Sequence, residues 1–229
     1  MSLAHQRAKL LIGRAPRVDR YEGTTCTVEG CSRMCRALSR YCTLHARRFY
    51  RTRNPNGRLP RRRELIPYRE RARHALTRYG LDTHPAIVAA ERTLEQMIAR
   101  SEGLPPRFAK HWRRLCEGGA TGREMLLNIL SVYGLRYVGL PDTFADDAVF
   151  FACLGSRFLR TVSTGSYTTP SGNVDQVRLP GLDAEVVGRA LAEKIGALAI
   201  LFWQREEREH NERAAAFLSI REALEQHPL

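Results

Sequence analysis

The stretch Thr24–Gly57, TTCTVEGCSRMCRALSRYCTLHARRFYRTRNPNG, carries four of the chain's six cysteines, one of its seven histidines and a crowd of arginines. Its reading decides whether the N-terminal third folds at all. A stretch so poor in apolar residues cannot build a core without a staple, whether metal or disulfide. In a reducing compartment clustered thiols point to metal before disulfide. A structural zinc site takes four thiolate or imidazole ligands as a tetrahedron, commonly as two pairs from separate turns. Cys26-x4-Cys31 supplies one pair and Cys42-x2-His45 the other. The ten residues between the pairs leave room for a short hairpin, and Gly30 permits a tight turn before Cys31. The segment after Cys42 is helix-compatible, so Cys42 and His45 are expected in a first turn whose outer face carries arginine and tyrosine. Cys35, between the pairs, is a spare thiol that could stand in for Cys26 or Cys31.

The pattern C-x4-C, ten residues, C-x2-H, then a basic aromatic segment ending in NPNG, resembles the small treble-clef-type zinc modules of phage and mobile-element proteins, including HNH homing-type endonucleases. The resemblance covers residues 24–58. It implies Zn2+ held by Cys26, Cys31, Cys42 and His45. Cys35 departs from the pattern, since the position it occupies needs no thiol. Four protein ligands leave no open position for water, which marks a structural metal rather than a catalytic one.

Working outward, charge separates the chain into two parts. Residues 1–80 contain 20 Lys and Arg against 5 Asp and Glu, whereas residues 81–229 contain 17 against 19, so the whole net charge of +13 sits in the first third. Only Lys9, Lys110 and Lys194 are lysines. The rest is guanidinium, which binds phosphate in bidentate fashion and stacks on aromatic or base faces. Arg47, Arg48, Arg51, Arg53, Arg61, Arg62 and Arg63 follow the cysteine module as a basic track, with Tyr50 as a stacking residue and Phe49 packed beneath. A local excess of this size has too few acidic residues in the remainder to balance it, which points to a polyanionic partner.

The organisation read from the sequence is a basic arm over residues 1–20, the zinc module over 21–58, a basic linker and helix over 59–80, and a helical domain over 81–229. Arg51–Arg63, RTRNPNGRLPRRR, reads as an extended linker, and a helix is expected from Pro67 to Tyr79. Beyond Gly80, stripes such as Ile87, Ala90, Leu94, Met97 and Phe108, Trp112, Leu115 recur at helical spacing. Thr121 and Glu124 stand in capping-box register, with Gly134 as the expected stop. Phe150, Leu154 and Phe158 form another stripe after an acidic first turn. A β-hairpin is expected near 163–180, around a Pro-Ser-Gly-Asn turn. The helix from Asp183 turns Val187, Leu191, Ile195, Leu198 and Phe202 inward, then meets QREEREHNER, polar on every side, which reads as a solvated helix or a break. The fold class is therefore mainly α: a zinc-stapled hairpin and helix, then a helical domain with one β-hairpin.

No catalytic residues are assigned. The histidines at 74, 84, 111, 210 and 227 are scattered singly, no glycine-rich phosphate loop precedes a helix, and Asp142, Asp146 and Asp147 sit where helix-capping acids are expected. Cys116 and Cys153 read as core residues. No apolar run reaches the roughly 18 residues of a membrane helix, and nothing resembles a secretory signal, so an intracellular, cytoplasmic protein with no membrane partner is expected. The reading is a non-enzymatic nucleic-acid-binding accessory factor of a phage or mobile element, on duplex DNA in preference to RNA, with a protein partner docking on residues 81–229. The alternatives are an atypical metal-dependent nuclease and an RNA-binding subunit of a ribonucleoprotein.

Overall fold

The computed structural model describes residues 24–35, 39–100, 106–139, 143–162, 166–168, 174–176 and 180–226. The basic arm and Asp142 lie outside the described residues, as does most of the expected hairpin. Seven α-helices occur among them: α1 Thr43–Thr52, α2 Arg62–Arg78, α3 Pro85–Ala99, α4 Pro106–Glu117, α5 Gly122–Tyr137, α6 Asp147–Phe158 and α7 Gly181–Gln226, with a 3-10 turn at Leu81–Thr83. Two short strands, β1 Ser166–Thr168 and β2 Val174–Gln176, pair antiparallel with Tyr167 opposite Asp175. The chain is mainly helical, as its periodicity requires.

Helix α5 is the axis of the body. Its residues from Met125 to Leu135 are buried on nearly every side, apart from Asn128, which is how a helix without a polar face must sit. Thr121 caps it by accepting from the Glu124 N–H at 3.2 Å, but the Glu124 carboxylate turns instead to Arg69. The helix does not stop at Gly134. A side chain there would collide with the Trp203 ring, so this glycine serves close packing inside the helix rather than an end. Trp203 is 1% exposed and its indole N–H donates to the Leu130 carbonyl at 2.8 Å. Helices α6 and α7 cross equally closely, because a Cβ on Gly188 would fall against the Phe151 carbonyl.

Helix α2 begins five residues earlier than its proline suggested. Pro67 lies inside it, and the start is fixed by Glu64, whose carboxylate accepts from the Arg61 N–H at 2.6 Å and pairs with Arg58 at 2.7 Å. Pro67 cannot donate to the Arg63 carbonyl, so the first turns depend on this clamp. Leu65, Ala72, Ala75 and Leu76 are buried in the same apolar cluster as α3 to α7. Although α2 shares the charge of the N-terminal third, it packs with the body.

The Glu64 clamp makes a prediction. Hydrogen bonds from Arg58 and the Arg61 N–H hold the Glu64 carboxyl at about 2, below an unfolded value of about 4.3. A depressed folded-state value contributes stability that is full above the unfolded value and is lost as pH falls through the folded one. Glu64→Gln should therefore lower the melting temperature at pH 7, and the gap to the parent should close between about pH 4 and pH 2. A gap that persists at the acid end would show that the carboxylate's charge is not what holds the turn.

The polar run Gln204–Arg213 contains no break, and α7 passes through it. Arg71 reaches Glu206 at 3.0 Å and Glu207 at 3.2 Å, the Tyr79 hydroxyl donates to Glu206 at 2.6 Å, and Arg213 donates to that hydroxyl at 2.7 Å. Glu206 is 3% exposed and is satisfied by these groups, so α2 steadies this length of α7. Further on, Phe217 and Leu218 are exposed.

Candidate metal centre

The centre is assembled from two short pieces of chain. Thr25 and Met34 form an isolated antiparallel bridge. Around it the Cys26 N–H donates to the Arg33 carbonyl and the Cys35 N–H to the Thr24 carbonyl, each at 2.9 Å. Pairing thus runs between Thr24–Cys26 and Arg33–Cys35, the second arm lying in the gap between the ligand pairs. Gly30, at φ 72°, turns the chain between the bridged segments. Thr27 then holds the second piece, its N–H donating to the Arg40 carbonyl at 3.0 Å and its hydroxyl at 3.1 Å. Cys42 is the N-cap of α1, and His45 lies in the first turn.

This brings together one ligand atom each from Cys26, Cys31, Cys42 and His45, all within 4.8 Å of one another. The Cys26 and Cys42 sulfurs stand 3.2 and 3.5 Å from His45 Nδ1. Bonds of about 2.3 Å to sulfur and 2.0–2.1 Å to nitrogen, at tetrahedral angles, would place such a pair about 3.6 Å apart. The four can hold a metal ion. Cys26, Cys42 and His45 are buried and Cys31 half-buried. Cys35 is buried beside them, but its sulfur is not one of the four that converge.

The electrostatics prepare the donors unequally. The Cys42 thiol is lowered by the backbone N–H groups of His45 and Leu44, at the start of α1. Burial and the charges of Arg48 and Arg33 lower His45, which favours the neutral imidazole that ligation needs. For Cys31, the Arg33 N–H pulls downward, but burial and the Cys26 and Cys42 thiols outweigh it and raise the group. Thiolates this close repel one another, and a cation among them removes the repulsion. The Cys42 N–H also donates to the Cys26 sulfur at 3.3 Å, a backbone bond that orients a ligand.

No protein-family model, curated protein or solved structure matches this chain.

The other cysteines are remote from the centre. Cys153 is fully buried and burial pushes its thiol up to about 12, so it is inert. Cys116, expected in the core, is exposed, with its thiol donating to the Ile98 carbonyl at 3.3 Å. Asp146 caps α6 by accepting from the Val149 N–H at 2.7 Å, and its second oxygen accepts from the Asn54 amide at 2.7 Å. Asp147 pairs with Arg136 at 2.8 Å.

The residues expected to meet a polyanion lie on α1 and on the chain from there to the start of α2. Arg47, Arg51, Arg53, Arg61, Arg62 and Arg63 are exposed, Arg48 is half-buried, and Tyr50 is 60% exposed. Phe49 is half-buried against Tyr41, with ring centroids 5.4 Å apart, and Arg53 lies over its ring at 5.6 Å. The segment expected as an extended linker is partly folded: α1 runs to Thr52, Arg53 ends it at φ 63°, and Asn54 accepts the N–H groups of Asn56 and Gly57. The contact from Asn54 to Asp146 anchors the metal module to the body. The N-P-N-G tetrapeptide signals that turn, but nothing local to it names a partner 92 residues away.

Proposed function

We propose that the chain is a zinc-containing nucleic-acid-binding protein that holds duplex DNA by guanidinium–phosphate pairs and serves a phage or mobile element as a non-enzymatic accessory factor. One observation carries the reading: the helix that supplies Cys42 and His45 to the centre exposes Arg47, Tyr50 and Arg51. Metal binding thereby fixes the surface that would meet phosphate. Three thiolates and an imidazole suit zinc, and a closed set of four suits a structural site. The resemblance of residues 24–58 to treble-clef-type modules agrees with that assignment. Asp146 and Asp147 are occupied in capping and ion pairing, which speaks against their serving as nuclease carboxylates. The helical body offers the surface for a protein partner.

Salt dependence tests the proposal. Affinity for duplex DNA should fall with a slope of about 0.9 in log units per phosphate neutralised. Replacing Arg47, Arg48 and Arg51 together with Ala should weaken all sequences alike and flatten the slope by up to about three phosphates' worth. Loss confined to one sequence would mean that α1 reads bases. A triple variant that matches the parent in affinity and slope at physiological salt would remove α1 from the interface. Competition with duplex RNA of equal length ranks the two acids.

A further inference from the structure

The basic track does not end at Arg63. Arg62 lines a cleft of about 660 Å³ between α2, α5 and the end of α6, where Arg69, Arg157 and Arg160 join it. Arg62 and Arg69 come from α2 and Arg157 and Arg160 from the end of α6, so no single charge run in the sequence announces all four. Two carboxylates also line the cleft, and each already has a cation: Glu124 pairs with Arg69, and Glu70 with Arg73 at 2.5 Å. Among the described residues no carboxylate pairs with Arg62 or Arg157, and the Arg157 guanidinium donates to the Pro60 carbonyl instead.

The wall formed by α5 is also unusual for that helix. Asn128 and Ser131 line the cleft from the mostly apolar middle of the helix, together with Thr161. The Asn128 amide donates to the Thr161 hydroxyl at 3.0 Å, which donates to the Phe158 carbonyl at 2.7 Å. Their hydroxyl and amide groups keep this wall of the cleft polar. Guanidinium groups approaching from several sides match the several oxygens of a phosphate better than the single plane of a carboxylate.

We propose that this cleft binds a phosphate group, carried by a nucleic-acid backbone or by a free phosphate compound. The backbone source rests on the function proposed above; the phosphate chemistry does not. The test uses the full, zinc-loaded chain and two probes, inorganic pyrophosphate by calorimetry and duplex DNA by salt titration. Arg62→Ala/Arg160→Ala is compared with Arg92→Ala/Arg208→Ala, which removes equal charge from exposed positions elsewhere. Arg157 is left intact because it holds the Pro60 carbonyl. The cleft variant should lose at least tenfold in pyrophosphate affinity, whether or not it also flattens the duplex slope by about one to two phosphates, while the control matches the parent in both. Because Arg160 makes a contact of its own, Arg62→Ala alone, at the parent's melting temperature, should show part of the same loss. A change on both probes assigns the backbone source, a change on pyrophosphate alone assigns a free phosphate compound, and a change on duplex alone belongs to the basic track that includes Arg62 and removes the cleft as a phosphate site. If neither quantity changes in the cleft variant, or the control changes both equally, the cleft is not a phosphate site. Failure of the parent to bind duplex would sink the nucleic-acid reading and leave the pyrophosphate arm to decide this one.

Discussion

On the proposal that the centre holds zinc, Cys26→Ser, Cys31→Ser, Cys42→Ser and His45→Ala are each expected to release one equivalent of metal per chain and to unfold the segment from Thr24 to the first turn of α1. The reason is the poverty of that segment's own core: its buried cluster is Cys26, Cys35 and Cys42, supported by half-buried Val28, Cys31 and Tyr41. Structural zinc in small modules contributes on the order of 10–16 kcal/mol, far more than such a cluster could supply by burial. A site short of one ligand must recruit water or leave the cation unsaturated. The far end of α1 has other anchors, since Thr52 is buried and Asn54 is bonded to Asp146. The body's helix content should therefore survive. Cys35→Ser should keep its metal. Elemental analysis together with circular dichroism reads both effects, and metal loss in Cys35→Ser with retention in Cys31→Ser would show that the wrong thiol was chosen.

What was legible in the sequence shares one property: its determinants are close together in the chain. The register of Phe108, Trp112 and Leu115, the Thr121 cap, the acidic start of α6 and the placement of Cys42 and His45 at a helix start all depend on neighbours within one or two turns. Where tertiary contacts decide, the sequence signal misleads. Gly134 looks like a stop until Trp203 arrives against it, and Pro67 looks like a helix start until the Glu64 clamp is seen three residues before it. The polar run after Phe202 could be a break or a helix on local grounds. Its ties to Arg71 and Tyr79 cross more than a hundred residues. In the metal centre the ligand types and spacing were readable, whereas the Asn54–Asp146 anchor and the arginine cleft needed helices from distant parts of the chain.

The same contrast between charge and packing leads to the second large expected effect. A chain cut to residues 81–229, at the boundary that charge suggests, should fail to fold, whereas residues 58–229 should melt cooperatively with most of the parent's helix content. The shorter fragment lacks Leu65, Ala72, Ala75 and Leu76, all between 0 and 4% exposed. It strips α5 of its packed neighbour and removes Tyr68, which meets the Trp203 ring edge-on at 6.3 Å. It also takes away Arg71 and Tyr79, leaving the Glu206 carboxylate, buried in the whole chain, without either partner. Full burial of one such leucine is worth about 1.5–3 kcal/mol, two are lost, and the apolar faces of α5 and α7 that α2 covered are laid open to water. Together these approach or exceed the roughly 5–15 kcal/mol by which a domain is stable at all. The longer fragment keeps the Arg58–Glu64 clamp that starts α2 and loses only the metal module. Leu76→Ala in the full chain isolates one part of the effect and should cost about 2–5 kcal/mol. Thermal melting followed by near-ultraviolet circular dichroism, which reports the packing of Trp112 and Trp203, distinguishes the fragments; a sharp transition for residues 81–229 would mean that α2 lies on the body without holding it together.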